Sequence, residues 1–139
     1  MDIELKNESL NYKSWVLNER QICDLEMILN GGFAPLNCFL NRDDYESVLS
    51  SMRLNNGSLW PIPINLDVNE EFSRKINPGD KLTLKDKEGF SIAIIDIEDI
   101  WNPDLKKECM SVYGTTDNTH PGVDYLLNHS NPIYVGGKI

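Results

Sequence analysis

No apolar run in these 139 residues approaches the ~20 that a helix needs to cross a bilayer. The first fifteen residues, MDIELKNESLNYKSW, also lack the apolar core and small-residue cleavage site of a secretory signal, so a cytoplasmic protein is expected. Cysteine is scarce: Cys23, Cys38 and Cys109 are odd in number and contain no C-x-x-C pair, which argues against a disulfide framework or zinc knuckle and fits reduced core thiols. Positive charge is short as well. Thirteen Lys and Arg against 22 Asp and Glu leave a net charge of −9, and the only adjacent basic pairs are Arg74-Lys75 and Lys106-Lys107. Such a surface repels polyphosphate at long range and offers no basic stripe to nucleic acid. The glycine pairs in NGGF and VGGK are neither a G-x-G-x-x-G fingerprint nor a P-loop, so no phosphate-binding loop is legible.

What is present fits one domain with a core of its own. Asn18 with Gln21 makes a capping box before ERQICDLEMILNGG, whose Ile22, Leu25, Ile28 and Leu29 share a face that Gly31-Gly32 ends. A second helix is expected from Asn41 as cap through RDDYESVLSSMRL, with Tyr45, Val48, Leu49 and Met52 inward and a stop at Asn56-Gly57. The period then changes to two. Trp60, Ile62, Ile64, Leu66 and Val68 fall on one face of an edge or irregular strand restricted by Pro61 and Pro63. Pro78-Gly79 launches a hairpin with strands over 81–86 and 90–100, the second apolar on both faces in its first half and therefore central. Asp104 is placed to cap a helix LKKECMSVYG, Pro121 to open another, PGVDYLLNH, and PIYVGG to close the chain as a strand. Helices first and strands after, with short helices between, predict an α+β fold on a mostly antiparallel, barrel-like sheet.

The stretch GTTDNTHPGVDYLLNH holds both histidines, His120 and His129, with Asp117 and Asp124 among them. Helical zinc ligands sit three or four residues apart, and these imidazoles are nine apart, so the spacing does not predict a metal site. Helix ends account for the same residues: Asp117 and Thr119 are placed to accept the exposed amides before Pro121, His120 is held extended by the proline, and His129 falls at a helix C-terminus. Cys109 with His120 is the one nucleophile and base pair near in sequence, and a thiol beside Val112 on an inward face reads first as core.

Five ordered blocks, QICDLEMILNGGFAPLNCFL, DYESVLSSMRLNNGSLWPIPINLDV, GDKLTLKD, VYGTTDNTHPGVDYLL and YVGGKI, resemble the N-terminal domain of ATP sulfurylase (sulfate adenylyltransferase) from about Trp15 to Ile139. The resemblance implies a PUA-like β-barrel with flanking short helices, residues 1–14 as an N-terminal extension and 136–139 as the start of a linker. It further implies that this chain alone is inactive. The family's substrate contacts lie in Q-x-R-N-P-x-H-x-x-H and G-R-D-H-A-G segments of a following catalytic domain, and neither segment occurs in these 139 residues. ATP and Mg²⁺ are accordingly expected only with that domain, which is the implied partner in cis or trans, with oligomers in the whole enzyme. The chain departs from the family in carrying Cys38 where the family has Gly, a change that fits wherever the backbone angle is ordinary. The alternative is a free-standing PUA-like binding module for RNA or protein. Two loops, 114–123 and 31–39, are polar or Gly-rich between apolar anchors, which makes Phe33, Phe39, Asp117, His120 and Pro121 the candidate domain-interface or loop-shaping residues.

Overall fold

The computed structural model describes residues 12–33, 36, 38–54, 57–60 and 63–139. Six strands form one mixed sheet: β1 (Lys13–Val16), β2 (Cys38–Phe39), β3 (Leu66–Val68), β4 (Lys81–Lys85), β5 (Ser91–Trp101) and β6 (Ile133–Lys138). β1 runs parallel to β4, and all other pairs are antiparallel: β4 with β5, β5 with β6, and β6 with both β3 and β2 along its other edge. The helices are α1 (Glu19–Leu29), α2 (Arg42–Ser51), α3 (Glu70–Ser73), α4 (Leu105–Tyr113) and α5 (Pro121–Asp124), the last running straight into a π-helix, Tyr125–His129.

The α+β class therefore holds, and the barrel does not. Among the described residues β1 pairs only with β4, and β2 and β3 only with β6, so the ladder stays open at both ends. The reason lies in the short outer strands. β1 is four residues long with Val16 54% exposed, and β2 has two residues. The strand expected over 60–68 shrinks to three residues, because Pro63 has no amide hydrogen to give a ladder; Pro61 and Ile62 lie outside the described residues. All three residues of β3 are buried, Asp67 included, so the expected alternation fails there too.

Local signals are realised closely. Asn18 and Gln21 form a reciprocal capping box on α1, Asn41 caps α2 through Asp44 N, and Asp104 caps α4 through Lys107 N. β5 is indeed central, with register shifts near Ile92 and Glu98 that bend it. The β4–β5 turn is closed by Asp86, whose side chain accepts from Glu88 N and Phe90 N, with Gly89 at φ +89°. α2 ends earlier than expected: Met52 takes the left-handed conformation at its C-cap, ahead of Gly57, and Asn56 lies outside the described residues. The helix expected over 121–129 is split into α5 and the π-helix, closed by a bond from Ser130 N to Tyr125 O at 2.9 Å. Residues 13 and 14, expected in an extension, belong to β1, and 136–138, expected at the start of a linker, are the last residues of β6; residues 1–11 lie outside the described residues.

The larger core joins α1 to the sheet through Leu17, Leu25, Ile28, Leu66, Leu82, Leu84, Ile95 and Val135. A second cluster gathers Leu40, Tyr45, Val48, Trp101 and Tyr134 where α2 meets β5 and β6. A small third one, Cys109, Val123 and Leu126, packs α4 on α5 and the π-helix.

Candidate functional site: a buried carboxylate cluster and the 114–122 loop

Gln21 does more than cap α1. Its side chain is 1% exposed, and all its hydrogen-bonding capacity is used. Oε1 accepts from Asn18 N and from Trp15 Nε1, both at 3.1 Å, while Nε2 donates to Asp67 O at 2.7 Å and Asp67 Oδ1 at 3.0 Å. The second oxygen of Asp67 accepts from Asn131 N at 2.8 Å. One buried amide and one buried carboxylate thus tie α1, β3 and the segment leading into β6, and each polar atom is satisfied as a low-dielectric interior demands.

Glu108 is the second buried carboxyl. It stands on α4 at the inward face with Leu105, and Tyr45 from α2 and Tyr134 from β6 both donate their hydroxyls to its Oε1, at 2.6 and 2.8 Å. Trp101 completes an aromatic wall, its ring 5.6 Å from Tyr45 and 5.8 Å from Tyr134. Burial raises the Glu108 carboxyl above the ordinary carboxylate range; the two phenol hydrogen bonds and the charge of Arg20 oppose that shift without cancelling it. Both phenols are pushed far above their usual range, first by burial and then by the Glu108 charge. Arg20 lies over the Tyr125 ring at 4.8 Å, at the edge of the same cluster. The cavity between Arg20, Asn65, Asp67, Glu108, Ser130 and Tyr134 has a volume of about 10 Å³.

This arrangement suits structure better than turnover. Two carboxylates and one guanidinium line a space the size of a water molecule, which is too small for ATP. Among the described residues no group of three or more His, Cys, Asp and Glu stands close enough to hold a metal ion. Cys109 is fully buried, and burial with the neighbouring Glu108 charge pushes its thiol up, away from the nucleophilic thiolate.

The 114–122 loop is closed by its own residues. Gly114 ends α4 in the left-handed conformation at φ +72°. Asp117 Oδ1 accepts from Thr119 N at 2.9 Å, which holds that exposed carboxyl below its ordinary range, and Asp117 O accepts from His120 N. The cap of α5 is His120 itself, not Asp117 or Thr119: Nδ1 accepts from Gly122 N at 3.1 Å, which assigns the proton of a neutral ring to Nε2. Tyr113 packs on the imidazole at 4.8 Å and fills the place a Cβ would take on Gly122. Pro121 occupies the first helical position, as expected. Asp117, His120 and Pro121 are therefore together and exposed, whereas Phe33 packs edge-on against Trp60 at 5.7 Å and Phe39 is fully buried in β2. Phe39 thus lies in the core and away from any surface. Cys38 has no positive φ, so its backbone makes no demand for glycine.

Sequence reasoning had not singled out Glu108 or Asp67. For Glu108 the signal was available: Leu105, Glu108 and Val112 fall at i, i+3 and i+7, which places the acid on the inward stripe.

A PUA-like domain family profile matches residues 2–139. The chain belongs to that family. This PUA-like domain is 44% identical over 138 residues to a sulfate adenylyltransferase of Schizosaccharomyces pombe, and 45% identical over 139 residues to one of Aspergillus fumigatus. Those alignments cover 98% of the chain and only 28% and 24% of the relatives, in their N-terminal region, so the domain spans about a quarter of the curated relatives it matches. Among solved structures it is similar to a hexameric APS kinase from Thiobacillus denitrificans, with a TM-score of 0.73 and 28% identity over 97% of this chain and 22% of that one.

Proposed function

We propose that this PUA-like domain serves as the N-terminal, non-catalytic part of a cytoplasmic sulfate adenylyltransferase, the enzyme that turns ATP and sulfate into adenylyl sulfate and pyrophosphate. One observation carries the reading: identity of about 44% extends over nearly the whole chain against the N-terminal quarter of sulfate adenylyltransferases. The chemistry of the buried cluster supports it. Glu108 and Asp67 are spent on internal hydrogen bonds that join helices to the sheet, and such groups stiffen a scaffold. On this reading the domain packs on a catalytic domain, which alone holds ATP and Mg²⁺, and the whole enzyme is oligomeric. Asp117, His120 and Pro121 fix the shape of an exposed loop at the seam, and Phe33 sits at the edge of a second one. The isolated chain, given ATP, Mg²⁺ and sulfate, should release no pyrophosphate above the enzyme-free rate; measurable turnover would refute the division of labour.

A further inference from the structure

The cavity beneath the π-helix contains an imbalance of hydrogen bonds. Asn65 Oδ1 is buried and has no partner. Both phenols that reach Glu108 go to Oε1, and no described residue donates to Oε2. The other polar groups around the space are already engaged: Asp67 by Gln21 and Asn131, and the Ser130 hydroxyl as donor to Leu126 O at 2.5 Å. Among the described residues Arg20 is the one cation lining the cavity. A buried amide oxygen without a donor is unfavourable, so the cluster as a whole favours anything that supplies the missing N–H or O–H.

The size of the space decides what that can be. A cavity of about 10 Å³ has room for a water molecule. Buried waters of this kind make about three hydrogen bonds to otherwise unsatisfied groups, and here two acceptors and a guanidinium line the same space. The π-helix borders the space. A π-turn is wider than an α-turn, and its closing bond from Ser130 to Tyr125 leaves Leu126 and Ser130 arched over the cavity.

We propose that this cavity is a binding site for a single structural water, which donates to Asn65 Oδ1 and to Glu108 and accepts from Arg20. The water completes a polar seam from α1 through β3 to α4 and β6, and it belongs to the folded domain as its side chains do. It also gives Arg20 a reason to remain at the rim, facing two carboxylates.

A crystal structure of the protein at a resolution that shows ordered solvent tests this directly. One well-ordered water within about 2.7–3.2 Å of both Asn65 Oδ1 and a Glu108 oxygen is expected. A dry cavity, or an Asn65 amide turned so that its nitrogen donates straight to a carboxylate with no water between, overturns the proposal. Magnetic relaxation dispersion of solvent oxygen gives a second readout: the wild type should lose one long-lived water on the change Asn65→Leu. An unchanged count in a folded Asn65→Leu variant sinks the assignment.

Discussion

Tyr45 and Tyr134 come from a helix and a strand 89 positions apart in sequence, yet both donate to the same oxygen of Glu108, with their rings edge-on at 5.4 Å. Two donors on one buried oxygen are coupled by that shared charge. Tyr45→Phe and Tyr134→Phe should each cost about 1–3 kcal/mol in urea unfolding, since each leaves the carboxyl short of a partner. Their effects should fail to add by ~0.5 kcal/mol or more in a double-mutant cycle. Simple additivity would mean that the two phenols act independently of Glu108.

The same carboxyl makes stability depend on pH in a direction that can be worked out. Its folded pKa is raised, so the native state holds this proton more tightly than the unfolded chain does. Glu108 therefore contributes most below the ordinary glutamate pKa of about 4.3, and that contribution is lost as pH rises from there through the folded value. Glu108→Gln keeps an oxygen for the two phenols and removes the titration. The difference in unfolding free energy between variant and wild type should move in favour of the variant as pH rises above ~4.3 and then level off. A difference that is flat with pH would contradict the raised pKa.

Gly136 and Gly137 behave as strand residues. A Cβ on Gly137 would strike the Asp96 carbonyl, and one on Gly136 would strike the Leu40 carbonyl. Gly137→Ala should therefore push β6 off β5 and cost ~1–3 kcal/mol or more by thermal unfolding. A near-neutral alanine would show that these residues are as loose as a linker.

His120 caps α5 through an imidazole nitrogen, an unusual choice of acceptor. His120→Ala should cost ~1 kcal/mol and speed amide exchange at Gly122, and His120→Asn should restore most of both, because asparagine is a good N-cap. Faster exchange in the asparagine variant as well would assign the imidazole another role.

Legibility in the sequence followed the range of the interaction. The caps at Asn18, Asn41 and Asp104 and the turn at Gly89 rest on contacts within four residues, and they were readable. β1 and β2 were not. Lys13–Val16 is a strand because β4 offers it a parallel edge 69 positions later, and Cys38–Phe39 because β6 passes alongside. Barrel closure failed for a similar reason, since the alternation at 60–68 says nothing of how few of those residues find a partner. At the 114–122 loop the residues were right and one role was wrong: the cap belongs to His120, because Asp117 spends its carboxylate on Thr119. The Gln21–Asp67 and Glu108–Tyr134 seams stayed hidden because each polar residue looks ordinary until its partner arrives from 46 or 26 positions away.

The central claim is that this domain supports catalysis housed elsewhere, and a chimera tests it most directly. Residues 1–139 would replace the matching N-terminal region of the Schizosaccharomyces pombe sulfate adenylyltransferase, with the parent enzyme and its N-terminal deletion as controls, and adenylyl sulfate formation would be measured. The account predicts a soluble chimera with turnover of the same order as the parent and a deletion that is inactive or insoluble. A folded chimera without activity, or a deletion that works as well as the parent, would contradict it.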